Sequence, residues 1–215
     1  KGRITGSRYT DTERKVIDIA KEEYSNYVLQ NGDSLSVNTV VEKYENRVLI
    51  KGAVSKPGAY SLENGLDIKA ILFTHAHIDH ILGASFCQDR FKAPTYLHTA
   101  DQLTWESVKS YAHVYGFENY KEIEAPTHTL TDQQILHFGA LKFTVYHTPG
   151  HAPGHVVFYH DSGFLINGDV LFKGSFGRVD LPGGDLATLK KSIFEVMFQF
   201  PESTTVYCGH GAATT

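Results

Sequence analysis

The segment His75-Ala76-His77-Ile78-Asp79-His80 constrains this chain more than any other. It follows directly on an apolar run, Ala70-Ile71-Leu72-Phe73-Thr74, short and continuous as a strand covered on both faces should be. With 12 histidines among 215 residues and as many aspartates, the pattern H-x-H-x-D-H arises by chance in roughly two of a thousand such chains. Three imidazoles beside a buried strand carry a desolvation cost unless something uses their nitrogens. Metal binding does so, and neutral imidazole is the commonest zinc ligand. His75 and His77 stand at i and i+2 in an extended or turning segment, so both rings can address one ion. Asp79 and His80 lie on the next turn and can address a second.

One cluster does not close a metal site, and three further donors also follow apolar strands. His151 comes after Leu141–His147, in Thr148-Pro149-Gly150-His151. Asp169 follows Phe164-Leu165-Ile166-Asn167-Gly168, and His210 follows Val206-Tyr207-Cys208-Gly209. Ligand sites of layered α/β proteins collect at strand ends, where loops converge. Counting donors gives His75, His77 and His151 for one ion, and Asp79, His80 and His210 for another. Asp169 is then free to bridge, the arrangement of a two-metal hydrolase.

These seven residues resemble the metallo-β-lactamase superfamily, whose hallmark is H-x-H-x-D-H followed by distant His, Asp and His. Within it the chain is similar to the glyoxalase II-like, hydroxyacylglutathione hydrolase-like branch. The segments that carry this likeness are Thr148–His155, Gly168–Asp185 and Tyr207–Gly211, the last with Cys208 where the branch usually has Pro. The resemblance covers about residues 66–215. It implies an α+β fold, a four-layer αβ/βα sandwich of two mainly antiparallel sheets with helices outside. It implies a metal-dependent hydrolase acting on a thioester such as an S-acylated glutathione, with two divalent ions, zinc by default and iron or manganese as options. Asp79 is the expected catalytic residue, ligating while it orients and deprotonates the attacking water. The alternatives are a mononuclear iron persulfide dioxygenase of the same superfamily, a lactonase, or a catalytically weak chain whose N-terminal part is a binding module. Zinc β-lactamases usually carry Cys at the place of Asp169, which argues against antibiotic hydrolysis. The nuclease and flavodiiron branches are excluded by chain length and by His77.

Residues 1–65 read differently from residues 66–215. No histidine falls in residues 1–60, and ten Lys+Arg against eight Asp+Glu make that part mildly basic, while the rest is acidic. Apolar spacing at Val16, Ala20, Tyr24 and Tyr27/Val28 predicts a helix over 11–30. Ser36–Val41 and Arg47–Val54 predict a hairpin. Val48–Leu62 lacks the Asp-containing turn of the superfamily and instead resembles an SLBB (soluble-ligand-binding β-grasp) module. The expected organisation is therefore an N-terminal piece over 1–65 and a metal-binding domain over 66–215. In the latter, strands are expected at Thr95–His98, Leu136–Gly139, Leu141–His147, Val156–His160, Gly163–Asn167 and Thr205–Cys208. Helices are expected over Ala100–Tyr115, with Leu103, Ser107 and Tyr111 in line, and over Leu186–Phe198, begun by Asp185.

Composition sets outer bounds. A 41% hydrophobic, 20% charged chain buries a sizeable core. A net charge of −4 argues against nucleic acid as partner. No apolar run approaches membrane-spanning length, and Lys1–Gly6 opens without a signal peptide or an initiator Met, as a processed chain or fragment would. The chain runs five residues past His210, where the family usually continues into a terminal segment. Two cysteines make no disulfide scaffold, so the expected setting is the reducing cytoplasm. Cys87 and Cys208 read as small buried hydrophobes. His98, His113, His128, His137, His147 and His160 read as ordinary side chains, and His155 as structural or supporting a ligand. Lys173 and Arg178 are cations within reach of an anionic substrate, though a solvated loop suits either. Phe172, Phe176, Tyr111 and Tyr115 read as core or as pocket wall.

Overall fold

The computed structural model describes residues 68–215 apart from Asn119, together with Val28 and the strands within 2–61. The chain divides into two compact units, Lys1–Arg47 and Val48–Thr215. The first contains β1 (Gly2–Tyr9), β2 (Arg14–Ile19) and β3 (Asp33–Thr39), ordered β2-β1-β3 with both pairings antiparallel. The helix expected over 11–30 is therefore a strand at Arg14–Ile19. Val16, Ile17 and Ile19 are β-branched, and an antiparallel neighbour outweighs the helical spacing of Val16 and Ala20. Among the described residues β3 pairs with β1 and not with the strand at Arg47–Ile50, so the expected hairpin is not seen there. The rest of 11–30, and the connection between the two hairpin strands, lie outside the described residues.

The second unit opens with β4 (Arg47–Ile50) paired to β5 (Gly58–Ser61). Then come β6 (Ile71–Leu72), the single turn α1 (Ile78–Ile81), α2 (Ala84–Phe91), β7 (Thr95–His98), α3 (Gln102–Tyr111) and β8 (His128–Leu130). β6, β7 and β8 form a parallel sheet. The expectation was mainly antiparallel; helical crossovers between these strands dictate otherwise. β9 (Ile135–Phe138), β10 (Leu141–His147), β11 (Val156–His160) and β12 (Phe164–Gly168) follow as an antiparallel meander. β13 (Leu171–Phe172) and β14 (Ser175–Phe176) make a small ribbon, α4 (Leu186–Lys191) runs on into π and 3₁₀ turns to Gln199, and β15 (Thr205–Cys208) ends the order. β15 adds parallel to β12, giving β15-β12-β11-β10-β9.

Period-two alternation builds the layers. Leu72 and Tyr96 of the small sheet pack with Val145, Val156 and Phe158 of the large one. Their neighbours Phe73 and Leu97 face the other way, onto Ile81, Trp105 and Val108. On the large sheet, Val157 and Leu165 turn outward onto Leu189, Ile193 and Met197. Helix, sheet, sheet and helix thus make four layers. Asp185 caps α4 as expected, its carboxylate accepting the Thr188 N–H at 2.7 Å. The core face of α3 is Trp105 and Val108, with Tyr111 partly buried against the same cluster; of the expected line, Ser107 and Leu103 are exposed, Leu103 by 79%. β8 and α2 had no counterpart among the expected elements.

Candidate metal centre

Strand direction brings the ligands together. β10 and β12 flank the antiparallel β11, and β15 runs parallel to β12, so all three end on one rim. His151, Asp169 and His210 leave that rim. Across the interface, the Val156 N–H donates to the Thr74 carbonyl at 2.8 Å, which fixes the start of the His75–His80 segment against the large sheet.

Two turns need glycine. Gly168 has φ +57°, and a Cβ there would lie 2.7 Å from both His155 Nε2 and Thr74 Oγ1. Gly209 passes so close to Asp169 Oδ1 and the His80 ring that a Cβ would collide with both.

The seven expected donors converge. His151 Nε2 lies 2.9 Å from His77 Nδ1 and 3.2 Å from His75 Nε2. The His151 Nδ1–H donates to the Arg178 carbonyl at 2.7 Å, which leaves Nε2 as a lone pair aimed inward. Asp169 Oδ2 stands 3.4 Å from His80 Nε2, 3.6 Å from His151 Nε2 and 3.3 Å from His210 Nε2. Asp79 Oδ2 is 3.0 Å from His210 Nε2 and 3.6 Å from His80 Nε2. Three overlapping triads result, each tight enough to hold one ion: His75/His77/His151, His75/His80/Asp169 and Asp79/His80/His210. His80 Nε2 and Asp169 Oδ1 are buried without a hydrogen-bond partner, the state of atoms shaped for ions.

Electrostatics agree with a cationic guest. Burial, reinforced by His155 and the other neighbouring rings, holds His75 well below the usual histidine range. Burial pushes His77 down to about 4, with His151 adding to it, and burial likewise lowers His151. These rings are therefore neutral at pH 7, as ligation requires. Burial alone would raise the Asp169 carboxyl, but His80, His151 and His210 together bring it below the ordinary carboxylate range.

A supporting carboxylate was missed by sequence reasoning. Asp101, wholly buried, accepts the Ala76 N–H at 2.8 Å through Oδ2 and the Gly154 N–H at 2.5 Å through Oδ1. It ties the loop carrying His75 and His77 to the loop carrying His151. Nothing in the sequence marks it beyond a lone Asp between β7 and α3. His155 supports the site as well: its Nε2 accepts the Asp169 N–H at 3.0 Å and its ring stacks on His75. Cys87 and Cys208 are unpaired and belong to none of the donor triads.

A cleft of about 1100 Å³ opens over the donors. His77, Asp79, His151, Asp169 and His210 contribute to its floor, and Tyr111, Tyr115, Phe172 and Phe176 to its walls. Arg178 reaches the cleft but is held in a fork by Asp180, at 2.7 and 2.6 Å. Lys173 is exposed and does not line it.

The metallo-β-lactamase superfamily model matches residues 45–210. The chain belongs to the metallo-β-lactamase superfamily. β4 and β5, expected in a separate N-terminal piece, fall within that match. The chain is 37% identical to a probable metallo-hydrolase of Bacillus subtilis over 76% of its length and 78% of the relative's. It is 32% identical to a hydroxyacylglutathione hydrolase of Haemophilus influenzae, over 71% and 73%. Two solved structures superpose with TM-scores of 0.65, each covering 72% of this chain and 75% of the other. One is the B3 metallo-β-lactamase BLEG-1, 39% identical. The other, 37% identical, was solved in a di-iron-bound form. The metallo-β-lactamase fold accounts for the four layers and for ligands gathered at one rim.

Proposed function

We propose that the chain is a two-metal hydrolase that cleaves thioesters, of the S-acylated glutathione kind or similar. The observation that carries this reading is Asp169 Oδ2, which lies between the two histidine sets and within 3.6 Å of His80, His151 and His210. A carboxylate placed in this way could serve both sets of donors. His75, His77 and His151 would hold one ion, Asp79, His80 and His210 the other, with Asp169 between them; zinc is the default, with iron or manganese possible. Bound divalent ions supply Lewis acidity, which acidifies water and stabilises negative charge on a carbonyl oxygen. Asp79, half exposed on the cleft floor, would orient the water and take its proton through the carboxylate oxygen that is not a donor to the ion. The aromatic walls exclude bulk water from the scissile carbonyl. The hydroxyacylglutathione hydrolase relative supports a thioester, and two unpaired cysteines suit a cytoplasmic setting.

A second reading, β-lactam hydrolysis, is favoured by the likeness to BLEG-1. Elemental analysis of the purified chain, with S-lactoylglutathione and nitrocefin assayed on the same sample, tests both. About two metals per chain with thioester turnover is the expected result. Nitrocefin turnover alone supports the second reading. One iron per chain with oxygen uptake on a persulfide overturns both.

A further inference from the structure

Glutathione carries two carboxylates besides its ammonium, and lysine or arginine is the strongest means of gripping a carboxylate. Among the described residues lining the cleft, Arg178 is the one Lys or Arg, and its guanidinium is already forked onto Asp180. What the cleft offers is apolar. Val114 is 72% exposed, Tyr115 55% and Phe176 46%, and all three stand on the cleft walls. Phe117, Tyr111 and Phe172 continue the same surface. Large apolar side chains rarely gather in the open without an occupant. These walls come from two elements: the turn after α3, and the β13–β14 ribbon that follows Asp169. They converge over Asp79 and His210, the exposed end of the donor cluster.

We infer that the substrate is recognised through an apolar chain or ring of about six carbons or more, held between Tyr115 and Phe176, and not through the charged groups of glutathione. This rests on the thioesterase reading and narrows it. The reaction remains hydrolysis: water adds to the thioester carbonyl, the C–S bond breaks, and the thiol leaves with a proton. The apolar group can belong to the acyl side or to the thiol side, and the two have separate consequences.

The test is a matched series on the metal-loaded chain: acetyl and hexanoyl thioesters of N-acetylcysteamine, the acetyl thioester of benzyl mercaptan, and S-lactoylglutathione. The expected result is that kcat/KM rises at least about ten-fold from acetyl to hexanoyl, or from the cysteamine to the benzyl acetyl thioester. Whichever rises names the side. The glutathione ester should rank with the small acetyl ester. In Tyr115→Ala and Phe176→Ala, both at exposed positions, the rise should shrink several-fold. Binding of the thioether S-hexyl-N-acetylcysteamine, measured by calorimetry, should weaken in parallel. Turnover of the series with no size dependence, or a clear preference for S-lactoylglutathione, overturns the inference and leaves the thioesterase reading standing. No turnover of any thioester in a chain that holds two metals overturns both.

Discussion

The two donor sets share Asp169 but live in different media. His75 and His151 are 0% and 2% exposed, and His77 is 8%. The Asp79 and His210 side chains, by contrast, are both more than half exposed. The inner set is built from folded backbone: Asp101 clamps its loops, His155 stacks on His75, and the Arg178 carbonyl fixes the His151 ring. The outer set has ring contacts, His80 on His75 and His210 on Phe172, but among the described residues no hydrogen bond from outside the donors holds it. Ligands held by a buried, pre-arranged shell pay little to order on binding. The inner ion should therefore bind tightly and support the fold, while the outer ion exchanges and meets the substrate.

The largest break of this contrast is Asp169→Ala, which removes the shared oxygen. Turnover should fall by about a thousand-fold or more, and elemental analysis should find fewer than two ions. His210→Ala should leave one ion in place, whereas His151→Ala should release both under mild chelation. Equal metal content in the two variants would erase the distinction between the sets.

Asp101→Asn comes next. The amide NH₂ faces one of two backbone N–H groups that now donate to a carboxylate, so a buried donor loses its acceptor. The expected cost is about 2–3 kcal/mol in urea unfolding of the metal-free chain. Metal affinity should fall at the inner set first, since the clamp touches the loops of His75, His77 and His151 and none of the outer ligands.

Acid should act on the inner set through its buried rings. The folded-state pKa of His77 is depressed to about 4 from the ordinary 6.5. Between those values the unfolded chain binds the proton that the folded chain refuses, so stability is full above 6.5 and is lost as pH falls toward 4. From pH 7 to pH 5, His77 alone should cost the metal-free chain about 2 kcal/mol, and His75 and His151 act in the same direction. Urea midpoints that stay level across this range would mean that the inner rings are not buried as described.

The seven converging His and Asp residues could be singled out because their chemistry is local. Each is a scarce residue type at the end of an apolar run, and glycine before Asp169 and His210 announces the turn. The four layers came from the family resemblance, because apolar pairs such as Leu72/Phe73 and Val156/Val157 show a strand covered on both faces but not what covers each face. What could not be read depends on partners far away in the chain. Val16, Ala20, Tyr24 and Tyr27/Val28 are spaced like a helix over 11–30, yet Arg14–Ile19 becomes a strand because β1 lies beside it. Asp101 looks like any helix-start aspartate until the loops of Ala76 and Gly154 close on it. Lys173 and Arg178 read alike in sequence, yet one points away from the cleft and the other is occupied by Asp180.

That last pair supplies the smallest effect and tests the outer edge of the comparison. Asp180→Asn should release the Arg178 guanidinium at the cleft mouth, where it can meet a carboxylate. Exposed ion pairs are weak, so the gain is small: KM for S-lactoylglutathione should fall by about two- to five-fold, with kcat unchanged. The change should fade with added salt, because the charges lie in solvent. An uncharged thioester should show no change. If KM for the uncharged ester fell equally, Asp180 would be shaping the cleft and not occupying its cation, and the outer rim would have to be read as structure in the way the inner set is.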